Sequence, residues 1–272
     1  MGFVDLHIHT VYSDSTVTPA EAVRLAADTG VTLMAVCDHN VLTGSVEAQA
    51  EAKKVGIVCL PGVEVDCLFL GSDTHVLAYG CDFENAEFVK SVKHARWALD
   101  NMSVELLEKL KPEYPQLSLA EYEAFSEDKQ AGGWKMLQYM KYKGVVPSLR
   151  QGMPLYERYG VTYDKAGFES IGEIVGKIHA AGGKAILAHP GVVFRHYDLP
   201  EQLRRIGLAF EAGVDGVECF YPTHTPEQIE EFLLLCREKN GLVTSGSDYH
   251  GVFGRTQLGE PYTDETDIRL EY

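Results

Sequence analysis

The sequence predicts an α/β fold on a mainly parallel sheet, interrupted by one helical insertion. Three observations predict it. Short apolar runs alternate with helical stretches over most of the chain, the pattern of parallel strands joined by helices. That alternation stops between about residues 85 and 167, where only helical stretches occur. Clusters of His, Asp and Glu fall mostly where apolar runs end, the edge on which α/β folds carry their sites. The expected organisation is an α/β body over 1–84 and 168–272, with a helical insertion, or cap, over 85–167.

Taken in order, Val4-Asp5-Leu6-His7-Ile8-His9 reads as a first strand with His7 and His9 on one face, because strand side chains alternate. Asp14 returns just beyond it. Thr18-Pro19-x-Glu21 is a helix start with a capping box, closed by Gly30. Leu33–Cys37 is a buried strand ending in Asp38-His39-Asn40. A helix over Ser45–Val55 leads to the strand Ile57–Leu60, the turn Pro61-Gly62, and Val63-Glu64-Val65. Glu64 lies between apolar neighbours, where a carboxylate is either edge-exposed or aimed into a site. After Gly71-Ser72-Asp73, His75 opens another strand.

The insertion holds helices at Ala86–Leu110, Leu119–Ser126 and Trp134–Lys143. The alternation resumes with a helix over Ile171–Ala181, the strand Ala185–Ala188 and the cluster His189-Pro190-Gly191. A helix (Leu203–Ala212), a strand (Gly216–Phe220), a helix (Pro226–Asn240) and the strand Leu242–Ser245 follow, running into Asp248-Tyr249-His250. The tail from Thr256 has little periodicity and reads as peripheral.

A formal net charge of −16 excludes a general nucleic-acid coat protein, since such a surface repels long phosphate backbones unless bound cations reverse the local field. Small phosphorylated substrates remain compatible. The six cysteines form no C-x-x-C pair, and several lie in apolar runs. They read as buried free thiols. No apolar run is long enough for a membrane span, and Met1-Gly2-Phe3-Val4-Asp5 lacks a basic leader region. The expectation is a cytoplasmic protein without a membrane or stable protein partner.

His7, His9, Asp14, His39, Glu64, His75, His189, Asp248 and His250 make nine candidate N/O metal ligands. A single ion needs about four, so nine point to two or three ions with a shared carboxylate, Glu64 or Asp248. Imidazole with carboxylate suits Zn, Mn or Fe rather than Mg or Ca. His75 joins the others only if its strand runs antiparallel or its side chain points inward. His94 and His179 read as surface or packing residues. His224 follows a strand and fits either the site's mouth or a structural turn; Glu218 and Cys219 read as a salt bridge and a buried thiol.

In order and spacing, His7-x-His9 with Asp14, Asp38-His39, Pro61-Gly62-x-Glu64, His75, His189-Pro190 and Asp248-x-His250 resemble the PHP (polymerase and histidinol phosphatase) family of metal-dependent phosphoesterases. The resemblance implies a distorted (β/α)₇ barrel with three metals. One would take His7, His9, Glu64 and Asp248; a second Glu64, His75 and His189; a third Asp14, His39 and His250. It places Glu64, Asp248 and His250 in the catalytic machinery. Clustered metals make hydroxide available at neutral pH for in-line attack on phosphorus. The long insertion resembles the branch acting on 3',5'-bisphosphate nucleotides or the 5' end of short RNA. That branch carries an Arg-x-His segment for substrate phosphate where this chain has Gly132-Gly133-Trp134-Lys135. Lys135 and Trp134, with Arg195 and His196 from the loop after His189, are the candidate substrate contacts. The alternative is a phosphatase of a small non-nucleotide monoester such as histidinol phosphate.

Overall fold

The computed structural model describes residues 2–270. Strand β1 (Phe3–Ile8) leads to helix α1 (Pro19–Thr29), β2 (Val31–Val36), α2 (Thr43–Val55), β3 (Val58–Leu60), β4 (Gly62–Phe69) and β5 (Ser72–Tyr79). The insertion contributes α3 (Ala86–Leu110), α4 (Leu119–Ala124), α5 (Lys135–Tyr142), α6 (Met153–Arg158) and α7 (Tyr163–Ala166). The chain returns through α8 (Ile171–Ala180), β6 (Lys184–Leu187), α9 (Pro190–Val193), α10 (Leu199–Glu211), β7 (Gly216–Phe220), α11 (Pro226–Lys239), β8 (Leu242–Ser245) and β9 (Thr263–Asp264).

Local chemistry sets the helix ends. Thr18 and Glu21 form the expected capping box of α1, and Gly30 closes it at φ 82°, a conformation glycine adopts without strain. Ser170 with Glu173, and Thr225 with Gln228, cap α8 and α11 in the same way. Asn40 and His189, directly after two of the site-bearing strands, hold positive φ (55° and 27°).

The strands form two sheets, ordered β3-β2-β1-β9 and β4-β5-β6-β7-β8. Pairing is parallel between β1 and β2, β2 and β3, β6 and β7, and β7 and β8. Within this mainly parallel pairing β5 runs antiparallel to both β4 and β6, one of the two courses that would let His75 join the other ligands. The cause is a two-residue turn, Leu70-Gly71, with both residues at positive φ (51° and 76°), the conformation that joins adjacent antiparallel strands. The hairpin sets Asp66 opposite His75. The tail is also less peripheral than its pattern predicts, because β9 pairs antiparallel with β1.

The sheets meet at two isolated bridges, Ile8 with Tyr249 and His39 with Glu64. There the His9 amide donates to the Tyr249 carbonyl (3.0 Å) and the Asn40 amide to the Glu64 carbonyl (2.9 Å). The result is a distorted barrel broken between two sheets. Val4, Leu6, Leu33, Ala35, Leu77, Tyr79, Ile186 and Ala188 fill its interior. Ala22, Ala26, Met34, Val36, Ala48 and Ala52 form a second cluster under α1 and α2. A third cluster is continuous from the five-stranded sheet through α8 into the insertion, with Val63, Val65, Phe88, Val92, Leu106 and Met140 among its members.

Candidate metal centre

Glu64 is the middle of the site. It sits on β4 and is fully buried. Its Oε2 lies 3.1 Å from His7 Nε2, 3.2 Å from His9 Nε2 and 3.4 Å from His39 Nε2. Its Oε1 lies 2.9 Å from His75 Nδ1 and 3.1 Å from His189 Nε2. One carboxylate therefore faces five imidazoles from four segments of chain. The antiparallel course of β5 is what lets His75 join them.

Asp248 closes one side. Its Oδ1 lies 3.0 Å from His9 Nε2 and 3.6 Å from His7 Nε2, and its Oδ2 accepts from the Tyr221 hydroxyl at 2.8 Å. Asp14 Oδ2 lies 3.1 Å from His250 Nε2 and its Oδ1 3.6 Å from His9 Nδ1. The His9 and His250 rings stack at 4.0 Å. All nine sequence-predicted ligands thus converge. Within them, three groups each present ligand atoms within 4.8 Å of one another: His7, His9, Glu64 and Asp248; His9, Asp14, His39 and His250; and His39, Glu64 and His75.

The residues fit divalent cations on two counts. His9 Nε2, Asp14 Oδ1 and His189 Nδ1 are buried without a hydrogen-bond partner among the described residues, an arrangement that is costly for polar groups unless something else engages them. The charges also call for cations. Burial would raise the Glu64 carboxyl, but His39, His7 and His75 hold it far below the usual range. Burial would depress His39 and His250, yet Glu64 and Asp66 lift His39 to about 9, and Asp14 and Asp248 lift His250 to about 10. The carboxylates demand positive charge, which ring protons supply and divalent ions would supply with fixed geometry.

Four buried carboxylates outside the predicted set support the candidate ligands. Glu218 Oε1 pairs with His7 Nδ1 at 3.0 Å, and its Oε2 accepts from the His189 amide at 2.8 Å. It is a partner of two candidate ligands, not the loop salt bridge its sequence suggests. Asp5 accepts from the Ser247 amide and hydroxyl (2.9 and 2.7 Å) and the Gly259 amide (2.8 Å), tethering the segment that carries Asp248. Asp38 accepts from the Thr10 amide and from the Thr10 and Ser13 hydroxyls, each at 2.7 Å, shaping the loop to Asp14. Asp66 lies beside His39 and His75. The signal available was that Asp5, Glu218 and Asp66 interrupt apolar strands, as Glu64 does. His224 is a structural turn: its Nδ1 bonds the Cys219 carbonyl (2.9 Å), and its Nε2 accepts from the Gly191 amide (3.1 Å).

The expected substrate contacts have other neighbours. Trp134 Nε1 donates to the Tyr156 hydroxyl (2.8 Å), and Lys135 Nζ to the Glu123 carbonyl (2.9 Å). It is the Gly133 amide that reaches the site's border, donating to the Asp14 carbonyl at 2.7 Å. Arg195 and His196 are exposed, and Arg195 Nη1 donates to the Val192 carbonyl at 3.0 Å. Arg150 of the insertion bonds the Phe253 carbonyl, with its guanidinium 5.3 Å from the Phe253 ring centre. His94 and His179 lie outside the cluster, on the Gly167 carbonyl and Asp215. All six cysteines are free, five of them buried. No helix of the described residues is long and apolar enough to cross a membrane.

The chain is 29% identical over 258 residues to a 5'-3' exoribonuclease of Haemophilus influenzae, covering 94% of this chain and 93% of that one. It is likewise 29% identical over 270 residues to a 3',5'-nucleoside bisphosphate phosphatase of Chromobacterium violaceum, covering 92% and 88%. A solved metal-dependent phosphoesterase structure from Bifidobacterium adolescentis superposes with a TM-score of 0.78 at 26% identity, covering 97% of this chain and 93% of that one. The PHP domain model matches residues 5–185, which hold β1 to β5 and all of the insertion. With that match and this ligand cluster together, the chain belongs to the PHP family.

Proposed function

We propose that this chain hydrolyses phosphate esters of nucleotides or short oligonucleotides, as a 3',5'-bisphosphate nucleotidase or a 5'-3' exonuclease acting on short RNA. The observation that carries the metal-dependent chemistry is the overlap of three ligand groups, with Glu64, His9 and His39 each belonging to two. Overlap of that kind suits adjacent ions sharing ligands. The relatives that act on bisphosphate nucleosides and RNA ends support the substrate class. The net charge of −16 favours a small substrate over a long polyanion.

In this reading His7, His9, Glu64 and Asp248 would hold one ion, Glu64, His75 and His189 a second, and Asp14, His39 and His250 a third, of Mn, Zn or Fe. Bound divalent ions acidify water and neutralise phosphate charge. Glu64 divides its two oxygens between two sets of rings and so fixes the spacing of the centre. Asp248, with one oxygen on Tyr221 and the other facing His9, is oriented before substrate arrives. His250, its Nδ1 on the Asp248 carbonyl at 2.8 Å, presents Nε2 beside Asp14 and would act through the ion held there, while a leaving alkoxide would take its proton from water. Trp134, Lys135, Arg195 and His196 are the substrate-contact candidates. The first two are supported by the bond from neighbouring Gly133 to Asp14, the last two by their exposure on the loop after His189.

The test is phosphate and nucleotide release by the Mn²⁺-loaded protein from 3',5'-bisphosphate nucleosides, mononucleotides, short RNA and histidinol phosphate. Preference for the bisphosphate or the RNA is expected. Preference for histidinol phosphate overturns the substrate class, and no turnover by protein with bound metal overturns the reaction.

A further inference from the structure

Asp66 is buried on β4, two residues beyond Glu64 on the same face of the strand. Its Oδ1 accepts from the Tyr163 hydroxyl at 2.5 Å and lies 3.2 Å from His75 Nε2. Its Oδ2 accepts from Asn40 Nδ2 and lies 3.3 Å from His39 Nδ1. Asn40 also takes the Asp66 amide on its own Oδ1 at 3.0 Å, so the two residues lock each other. An ionised carboxylate offers about four acceptor positions, and here four donors stand around it. None of the three ligand groups includes Asp66. Each of the two histidines meanwhile turns its other nitrogen to Glu64: His39 through Nε2 (3.4 Å) and His75 through Nδ1 (2.9 Å).

We infer that Asp66 is a positioning carboxylate for the metal centre. It takes Nδ1–H of His39 and Nε2–H of His75, leaving opposite ring nitrogens free to bind metal, and Tyr163 holds it in place from the insertion. The two ring contacts are close approaches rather than aligned hydrogen bonds, and such contacts tighten when the working complex forms. A carboxylate on the far nitrogen fixes the tautomer of a metal-binding histidine and makes it a better donor. Here one carboxylate serves two histidines, and one phenol from α7 makes the insertion part of the centre.

This inference rests on the metal-centre reading above, and the experiment separates the two. Metal-depleted wild type, Asp66→Asn, Tyr163→Phe and His9→Ala are titrated with Mn²⁺ by calorimetry and their metal content is measured, with thermal melts of the metal-free proteins alongside. Asp66→Asn is expected to weaken Mn²⁺ binding about 10–100-fold while keeping the same number of sites. Tyr163→Phe, which leaves the carboxylate but removes its brace, is expected to weaken binding several-fold with a nearly unchanged melt. Wild-type affinity in both variants overturns the positioning role and leaves the metal centre standing. Loss of a whole equivalent in Asp66→Asn, as expected for His9→Ala, makes Asp66 a ligand and also overturns it. No binding by wild type removes the underlying reading instead.

Discussion

Replacing Glu218 with Gln is the sharpest probe of how the protein prepares its histidines. Glu218 is fully buried and accepts from two groups at once, His7 Nδ1 and the His189 amide. A glutamine of the same shape keeps one acceptor oxygen and sets an NH₂ against one of the two donors. A buried donor left unmet costs about 1–3 kcal/mol, so the metal-free protein should lose about that much stability. The second effect falls on His7, whose Nε2 faces Glu64 and Asp248. Losing the carboxylate partner of a metal-binding histidine weakens metal affinity about 10–100-fold, or about 1.4–2.7 kcal/mol. Urea unfolding of chelated protein reads the first effect, and Mn²⁺ titration reads the second. Wild-type metal affinity in a stably folded Glu218→Gln protein would refute the reasoning, because it would mean His7 needs no partner to present Nε2.

Other expectations follow from the same geometry. His9→Ala and Asp248→Ala should abolish phosphate release while leaving circular dichroism largely unchanged; wild-type rates in both would sink the ligand assignment. Chelation should lower the melting temperature and Mn²⁺ should restore it, since a ligand that binds only the folded state stabilises it; a melt indifferent to both argues against bound metal. His224 is held down to about 4, against 6.5 when free, chiefly by burial. Its neutral form is the folded one, so its contribution is complete above about pH 6.5 and is lost as pH falls through 4. That amounts to about 3 kcal/mol at most, and His224→Gln should flatten the pH dependence of urea unfolding over that window. An unchanged slope would remove His224 as its source. Gly62→Ala would set a methyl 2.7 Å from Cys37 Sγ and 3.0 Å from the Val36 carbonyl oxygen. Overpacking of that kind costs about 1–3 kcal/mol, to be read as a lowered urea midpoint.

Much of the candidate site is legible in the sequence because its candidate ligands sit at or near strand ends in short motifs, which the fold brings together. The 25-residue helix α3 is found at its predicted bounds, since Asn85 caps it and its apolar periodicity is long. Three things were not legible. The antiparallel β5 depends on a two-residue turn whose first member is Leu70, a residue with no turn preference to announce it. β9 is only two residues long and is recognised by its partner β1, not by its own pattern. The supporting carboxylates Asp5, Glu218 and Asp66 meet groups far away in the chain, as with Glu218 and His7, 211 residues apart. Around Gly132-Gly133-Trp134-Lys135 the sequence draws the eye to side chains, whereas the contact with Asp14 is made by a backbone amide.

The apolar cluster that runs unbroken from β4 into the insertion has a practical meaning for anyone dividing or recombining this protein. Helix α3 lies on α8 and β4, and Val63, Val65 and Phe88 are buried in the same mass of side chains. Excising residues 85–167 would open the outer face of the sheet to water directly behind Glu64, so the shortened barrel should aggregate rather than survive as a minimal enzyme. A graft of this insertion onto a relative would have to bring its own β4, α8 and Tyr163 partner with it. The unit that can be exchanged is the hairpin and its helices together, and its seam does not follow the point where strands give way to helices in the sequence.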